Sequence, residues 1–158
     1  SIFDAPCGDL NWMSRILAAR TMAYIGADIS PTALALAKQR CPDADLRLFD
    51  LRWDAFPRCE LWHCRDAMFH LSFSDVWLAL QNAARSRIRY ALITTHRARW
   101  LRNVDIATGS WRYLDLERPP FNLPRPREYL RDYRFGEFPR FVGVWDIEAI
   151  RSVLDRRS

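Results

Sequence analysis

Acidic residues stand at the ends of the predicted strands in the first half of the chain, and they carry most of its possible chemistry. Three predicted strands end in Asp4, Asp28 and Asp50, and a fourth is followed directly by Arg65 and Asp66. In an open α/β sheet, ligands bind at the carboxyl ends of the strands. Acids at that edge repel a pyrophosphate, and the lysine of a phosphate-binding loop is absent. The pattern favours a ligand with ribose hydroxyls and an ammonium group but no phosphate.

The turn after the first strand has the outline of a nucleotide-binding strand-turn-helix. It reads S-I-F-D-A-P-C-G-D-L-N-W from Ser1 to Trp12, and Gly8 is its only glycine. Glycine lets a backbone approach a ligand closely at little steric cost. One such approach, at Gly8, is enough if there is no pyrophosphate to surround.

A histidine lies in the loop after the fourth predicted strand. His70 follows Arg65 and Asp66, and histidine is the usual general base near neutral pH. We expect His70 to be the base, with Asp66 orienting it or meeting an ammonium group. The alternative is that His70 only caps or packs against the following helix. His96, after the fifth strand, is the reserve candidate, and His63 is expected to be structural.

The elements that position these residues alternate along the chain. Apolar runs predict five strands, and helical spacing between them predicts three helices. The predicted strands are residues 1–4, 22–28, 45–50, 59–64 and 89–95, and the predicted helices are residues 11–20, 30–40 and 72–84. This order predicts a doubly wound, mostly parallel, Rossmann-like α/β sheet with right-handed crossovers.

The second part of the chain has a different character. Residues 97–140 are rich in proline, arginine and aromatic residues and lack a helical period, which predicts an irregular functional segment. A strand at residues 141–145 and a helix at residues 146–154 are predicted to follow. We expect one domain over residues 1–158, with a cofactor-binding half at 1–96 and a substrate-side segment with the closing strand at 97–158.

Composition narrows the class of protein. The chain is 49% hydrophobic and 27% charged, which is ordinary for one globular domain. No apolar stretch reaches the roughly 18 residues of a membrane span and no leader is visible, so we expect a cytoplasmic protein without a membrane partner. The four cysteines lack C-x-x-C spacing, which argues against a metal site or a disulfide framework. The net charge of +5 is carried mostly by arginine, which suits an anionic substrate or nucleic acid.

Five segments of the chain resemble the class I S-adenosylmethionine-dependent methyltransferases. They are D-A-P-C-G-D-L-N-W-M at 4–13, Y-I-G-A-D-I at 24–29, C-R-D-A-M-F-H-L-S-F at 64–73, L-I-T-T-H at 92–96 and T-G-S-W-R-Y-L-D-L-E-R-P-P-F-N-L-P at 108–124. More narrowly, the chain resembles a bacterial branch with a D-A-P-C-G-D-x-N-W first motif. The resemblance implies the class I methyltransferase fold with a reduced N-terminal region, S-adenosyl-L-methionine as cofactor, and methyl transfer to oxygen or nitrogen.

The resemblance also implies where the adenosine part of the cofactor binds. Asp28 takes the position whose carboxylate accepts from the ribose hydroxyls, and Ile29 flanks the adenine. Asp50 matches the acid that meets the adenine amino group, and Leu51 lies beside it.

The first motif implies the site for the methionine part of the cofactor. Asp4 and Gly8 take the family's first acidic position and its central glycine. Pro6 and Leu10 stand where the broad family usually has glycine, a departure that the bacterial branch shares. The other expected cofactor residues are Pro6, Cys7, Asp9, Trp12, Ser30 and Arg65.

The irregular segment is expected to supply the acceptor site. The candidate residues are His96, Trp111, Arg112, Phe121 and Asn122. Aromatic side chains can exclude water from a pocket, and Arg112 can bind an anionic group. The alternative is that Trp111 and Phe121 only cover a face of the sheet. We expect a small-molecule acceptor that is anionic or saccharide-like.

Two other functions stay open at this point. The arginine-rich tail also suits a nucleic-acid methyltransferase or binding module, although no N-P-P-Y-type sequence follows the fourth strand. A cofactor-binding subunit without catalytic activity, working within an oligomer or beside a partner subunit, is the third possibility.

Overall fold

The structure, a computed structural model that describes residues 1–157, has a seven-stranded sheet as its centre. Its strands are β1 (Ile2–Asp4), β2 (Tyr24–Asp28), β3 (Asp45–Leu48), β4 (Leu61–Cys64), β5 (Tyr90–His96), β6 (Glu128–Arg131) and β7 (Arg140–Asp146). They lie in the order β3-β2-β1-β4-β5-β7-β6. Strands β1 to β5 pair in parallel, and β7 pairs antiparallel with β5 and β6. The predicted doubly wound, mostly parallel α/β sheet is confirmed.

Helices cover both faces of this sheet. They are α1 (Met13–Ala19), α2 (Pro31–Arg40), α3 (Phe73–Arg85) and α4 (Ile147–Asp155), and a short 3-10 turn spans Met68–His70. The Ser30 hydroxyl accepts from an amide in the first turn of α2, and the Ser72 hydroxyl does the same for α3. Serine is a favoured N-cap residue, and these two serines stand at the first residues of the helices predicted at 30–40 and 72–84.

Two apolar clusters hold the layers together. The larger one joins α3 and α4 to the sheet through fully buried side chains such as Phe3, Trp62 and Ile150. The smaller one joins α1 and α2 to the other face and includes Leu10 and Met13. Each large apolar side chain buried in this way stabilises the fold by about 1.5–3 kcal/mol.

The segment between β5 and β7 is not wholly irregular, which corrects the prediction for residues 97–140. Glu128–Arg131 forms β6, an edge strand that pairs antiparallel with β7. The strand has four residues, three of them exposed, and prolines closely precede it. A short edge strand lacks the alternating or continuous apolar pattern that reveals a buried one.

The order of the strands creates the crevice in which a ligand can bind. Strand β1 lies between β2 and β4, and Asp4 at its end faces Gly26 on one side and His63 on the other. The chain leaves β1 and β4 toward opposite faces of the sheet, so the loops after these strands separate. No helix within residues 1–157 is long and apolar enough to cross a membrane.

Candidate functional site

A crevice with two lobes opens at the carboxyl edge of the sheet, beside β1. The apolar lobe has a volume of about 300 Å³, and the acidic lobe has a volume of about 390 Å³. Pro6, Asp28 and Asp66 line both lobes, so the two lobes adjoin at these residues. The apolar lobe is also lined by Ile29, Phe49, Asp50, Leu51, Ala67, His70, Leu71 and Gly109, and the acidic lobe by Asp4, Cys7, Gly8, Asp9, Trp12, His63 and Arg65.

Asp28 is the charged group at the junction of the lobes. Its carboxylate accepts the Gly8 amide and the Ser30 amide, each at 2.9 Å. Asp28 makes no ion pair within residues 1–157, and it is 8% exposed. Each carboxylate oxygen can accept more than one hydrogen bond, so Asp28 presents a buried, uncompensated negative charge that can accept hydroxyl groups. Ser30 contributes its amide, because its hydroxyl caps α2.

The turn after β1 keeps a left-handed backbone even where glycine is missing. Gly8 has a φ of +57°, and so does Leu10. A left-handed conformation costs a residue other than glycine about 1–2 kcal/mol. Leu10 is 1% exposed within the smaller core cluster, and burial of its side chain offsets that cost. The turn therefore has a left-handed residue at Leu10 without a glycine there.

The acidic lobe concentrates carboxylates around a hydrogen-bonded network. Asp4 is 1% exposed and accepts the Tyr24 hydroxyl at 2.7 Å, and it lies 2.6 Å from Nδ1 of His63. Burial and the nearby Asp4 carboxylate raise the pKa of Tyr24 well above its usual value, so this hydroxyl remains a donor. Asp9 is paired with Arg40. The lobe thus holds more acid than base, which suits a cationic group.

Cys7 and Trp12 complete the wall of the acidic lobe. Burial, with the Asp4 and Asp28 carboxylates, raises the pKa of the Cys7 thiol to about 12. The thiol is therefore uncharged, and it packs in the smaller core cluster. The half-exposed Trp12 ring lies 5.6 Å from the His63 ring and 5.7 Å from the Arg65 guanidinium.

Asp50 lines the apolar lobe with its carboxylate already engaged. Arg52 donates to both of its oxygens, at 2.9 and 2.7 Å, and this pairing lowers the pKa of Asp50. Arg52 also reaches Asp75 at 3.1 Å, which ties the end of β3 to the first turn of α3. The adenine-amino role of Asp50 stays a prediction, and it requires an oxygen that also binds Arg52. Sequence reasoning missed Arg52, although its position two residues after Asp50 is a signal for local pairing.

The segment Thr108–Arg112, here called the tail clasp, is bonded along the loop that carries His70. The Gly109 amide donates to the His70 carbonyl at 2.8 Å, and the Arg112 amide donates to the Phe69 carbonyl at 3.2 Å. The Ser72 amide donates to the Thr108 hydroxyl at 2.9 Å. The clasp therefore fixes the backbone on both sides of His70.

The tail clasp also sets the tautomer of His70. Nδ1 of His70 lies 2.8 Å from the Ser110 carbonyl oxygen. A carbonyl oxygen can only accept, so Nδ1 carries the proton and Nε2 is the basic nitrogen of the neutral ring. His70 and Asp66 line the same lobe. The role of His70 as the base stays a prediction, and the Ser110 carbonyl is an anchor for its ring that the sequence did not reveal.

Asp66 occupies the junction in a left-handed backbone conformation, with a φ of +56°. Its amide donates to the Thr94 hydroxyl at 2.9 Å, and its carboxylate lies 3.3 Å from Arg65 and 3.6 Å from Arg140. Arg65 is in turn held by both oxygens of Asp132 at 2.9 and 3.0 Å. The predicted pair Arg65 and Asp66 therefore belongs to a network that joins β4 to the ends of β6 and β7.

His96 lies outside both lobes, and the structure does not place it as an acceptor-binding residue or a base. It is 3% exposed, and Nδ1 accepts the Leu114 amide at 3.2 Å. The rings of Phe69 and Tyr113 lie 5.2 Å from it. Burial lowers the pKa of His96 to about 4. The apolar environment that a strand-end histidine enters cannot be read from its own sequence position.

The free energy of unfolding should decrease in acid because His96 stays neutral in the folded protein. Unfolded, His96 takes up a proton as the pH falls below about 6.5, whereas in the fold it stays neutral down to about 4. The stability that it contributes is present above the unfolded value and is lost as the pH falls. Urea titrations give the free energy of unfolding at each pH. Between pH 7 and pH 5 we expect it to fall by about 2 kcal/mol less in His96→Gln than in the wild type. An equal loss in both proteins would contradict this account.

Three acceptor candidates lie away from the two lobes, which corrects their assignment. Phe121 is fully buried, with its ring 5.1 Å from Trp77 and 5.3 Å from Phe73, so it belongs to the core, as the alternative interpretation held. Asn122 is exposed near α4. Arg112 is 6% exposed and donates to the Leu71 carbonyl at 2.5 Å, so its guanidinium is buried against the loop that carries His70, outside both lobes. Trp111, within the clasp, is exposed and also lies outside both lobes.

The comparisons with known proteins bear on this fold. No protein-family model and no curated protein matches the sequence. The solved structures that resemble it include magnesium protoporphyrin IX methyltransferase from Synechocystis PCC 6803 with bound S-adenosylmethionine, at 15% identity with a TM-score of 0.64. The alignment covers 91% of this chain and 69% of that one.

Two further methyltransferases have the same architecture. The S-adenosylmethionine-dependent methyltransferase SibL is 12% identical with a TM-score of 0.68, over 92% of this chain and 49% of that one. A Leishmania major S-adenosylmethionine-dependent methyltransferase is 13% identical with a TM-score of 0.67, over 90% of this chain and 63% of that one. The chain thus has the fold of the class I methyltransferases, and it spans about half to two thirds of the length of these proteins.

Proposed function

We propose that this chain binds S-adenosyl-L-methionine and transfers its methyl group to an oxygen or nitrogen of a small-molecule or saccharide-like acceptor. The observation that carries the proposal is the two-lobed crevice with Asp28 at its junction. One lobe is apolar and the other acidic, and a single uncompensated carboxylate lies between them. Magnesium protoporphyrin IX methyltransferase, which resembles this chain in fold, was solved with S-adenosylmethionine bound and also with S-adenosylhomocysteine bound.

The side chains that line the crevice suit each part of this cofactor. An adenine ring suits the apolar lobe, between Ile29 and Leu51. Ribose hydroxyls suit Asp28, since charge-assisted hydrogen bonds of this kind contribute about 1.5–3 kcal/mol each. The amino-acid end of the cofactor has an ammonium group and a carboxylate group. The ammonium group suits the acidic lobe, and Arg65, which also lines that lobe, can bind the carboxylate group.

Bound S-adenosylmethionine supplies an activated methyl group, and transfer forms an oxygen–carbon or nitrogen–carbon bond while the sulfur–carbon bond breaks, leaving S-adenosylhomocysteine. The chain's own residues have two tasks in this reaction. Nε2 of His70, whose ring the clasp holds through Nδ1, accepts the proton that the acceptor atom loses. The loops around Asp66 hold the acceptor atom in line with the methyl group.

Gly8→Ala tests the proposal at the residue where we expect the backbone to lie closest to the cofactor. A Cβ at Gly8 would meet no protein atom within 4 Å, so the added methyl group enters open space in a residue that lines the acidic lobe. We expect S-adenosylhomocysteine to bind the wild type in calorimetry and to bind Gly8→Ala at least about 10-fold more weakly, a difference of about 1.4 kcal/mol.

Gly136→Ala is the matched control for this substitution. Gly136 also has a positive φ, of +88°, and an added Cβ there meets nothing within 4 Å, but it lies in the turn before β7, outside both lobes. Both variants should lose about 1 kcal/mol of stability from backbone strain. Failure of the wild type to bind S-adenosylhomocysteine would overturn the proposal, and so would equal affinities in the two variants.

A further inference from the structure

A row of aromatic rings continues outward from His70. Phe69 lies 4.6 Å from the His70 ring and 6.4 Å from Trp111. The row then reaches Tyr113, 4.6 Å from Trp111. We call Trp111 and the three rings beyond it the aromatic platform, which consists of Trp100, Trp111, Tyr113 and Phe138.

The rings of the aromatic platform hold each other in place. Tyr113 and Phe138 are stacked with centroids 3.8 Å apart and an angle of 19° between their planes. Trp100 meets Phe138 edge-on at 5.6 Å. Trp100 is 71% exposed and Trp111 is 52% exposed. Two large rings are thus exposed to solvent on a base of packed rings, which makes this patch a candidate binding surface.

The aromatic platform adjoins the reaction end of the crevice. The tail clasp, which contains Trp111, bonds to His70 through Ser110 and contributes Gly109 to the apolar lobe. On the other side, Phe138 lies two residues before Arg140, which contacts Asp66. The platform is therefore linked to His70 through the tail clasp and to Asp66 through the segment that carries Phe138 and Arg140.

We propose that the aromatic platform is the acceptor subsite and that the acceptor presents a flat aromatic ring to it. The inference rests on the proposed function and narrows its acceptor class. Aromatic rings stack on tryptophan and tyrosine faces, and such pairs contribute about 0.5–1.5 kcal/mol beyond the area that they bury.

The polar groups around the aromatic platform favour an aromatic ring over a sugar. A sugar needs several directional hydrogen bonds to its hydroxyls. Here the Ser110 carbonyl is bonded to His70, and Asp66 is held between Arg65 and Arg140. Arg140 also binds the backbone carbonyl of Asp132 at 2.9 Å. These polar groups are therefore already paired within the chain, while the Trp100 and Trp111 rings are exposed to solvent.

A second copy of the chain suits the aromatic platform less well. The two tryptophans together expose about 300 Å², given the size of aromatic side chains. A stable protein interface buries roughly 800 Å² on each partner. The exposed rings are enough for a ligand of a few fused rings but not for a dimer.

Calorimetry with two probes tests the inference. We propose to titrate 2-naphthol and, separately, methyl β-D-glucopyranoside into the protein saturated with S-adenosylhomocysteine. We expect saturable binding of 2-naphthol, weakened at least about 10-fold in Trp111→Ala, and no binding of the glucoside. Trp53→Ala is the matched control, because Trp53 is 65% exposed but lies between β3 and β4, away from the platform.

The outcomes separate this inference from the proposed function. Binding of S-adenosylhomocysteine should be the same in the wild type and both variants, and its absence would overturn the proposed function alone. The 2-naphthol titration without S-adenosylhomocysteine would then still test the aromatic platform. Unchanged 2-naphthol affinity in Trp111→Ala would overturn the inference, as would preferential binding of the glucoside. Sedimentation of the wild type as a dimer that Trp111→Ala dissociates would also overturn it.

Discussion

Replacing Asp28 by alanine should weaken the binding of S-adenosylhomocysteine by about 100-fold or more. The carboxylate is expected to accept two ribose hydroxyls, and two charge-assisted hydrogen bonds contribute about 3 kcal/mol or more together. The site is 8% exposed, and the charge has no ion-pair partner within residues 1–157, so solvent and salt screen it little. Calorimetry of wild type and variant gives the two dissociation constants directly.

Asp28 also supports the fold, so a second variant is needed to separate binding from stability. Asp28→Asn keeps the shape and one acceptor oxygen, while the amides of Gly8 and Ser30 that both bond to the carboxylate would compete for it. We expect Asp28→Asn to be folded, as shown by cooperative unfolding. It should nevertheless bind S-adenosylhomocysteine at least about 10-fold more weakly than the wild type does.

The control for these variants is an acidic residue at the start of a strand, away from the crevice. Asp45 begins β3 and pairs with the exposed Arg47, and Asp45→Asn should leave affinity unchanged. Wild-type affinity in a folded Asp28→Ala protein would remove Asp28 from the cofactor site.

The sheet and its ligand edge were accessible from the sequence because their signals are local. Apolar runs that end in Asp4 and Asp28 mark strand ends, and parallel strands bring such ends to one edge. The caps Ser30 and Ser72 act within one helical turn, so short spacing was enough to find them. The alternation of strands and helices then allowed few topologies.

The contacts of the irregular segment were not accessible, because their partners are far away in the chain. The Ser110 carbonyl meets His70 at a separation of 40 residues, and Arg65 meets Asp132 at a separation of 67. No periodicity announces such contacts. Phe121 and Trp111 look alike in sequence, as aromatic residues among prolines and arginines. One is fully buried and the other is half exposed, a difference that only packing decides.

The tail arginines show the same limit. Their number suggested a surface for anions or nucleic acid, but many are paired within the fold. Arg97 pairs with Glu117 and Arg127 with Asp146, while Arg140 lies between two aspartates. Net charge reports the sum over the surface and not which charges are free.

Removal of the base should leave cofactor binding intact and slow the reaction by about 10²- to 10⁴-fold. His70→Asn is the sharpest variant, because its amide nitrogen can still donate to the Ser110 carbonyl in place of Nδ1. The variant lacks a basic nitrogen in place of Nε2. The rate is measured as release of S-adenosylhomocysteine with an acceptor selected from a panel of phenols and sugars. The affinity of the protein for S-adenosylhomocysteine is measured by calorimetry.

The variant also distinguishes catalysis from support of the tail clasp. If His70 only anchors Ser110, His70→Asn keeps the anchor and should react at nearly the wild-type rate, whereas His70→Ala loses the anchor and should slow. If His70 is the base, both variants are slow. His96→Gln is the control for the removal of a histidine, since that buried side chain lies outside both lobes, and it should react much faster than His70→Asn. Wild-type turnover in His70→Asn would assign the proton to another group, and Asp66, which lines both lobes, would then be the residue to test.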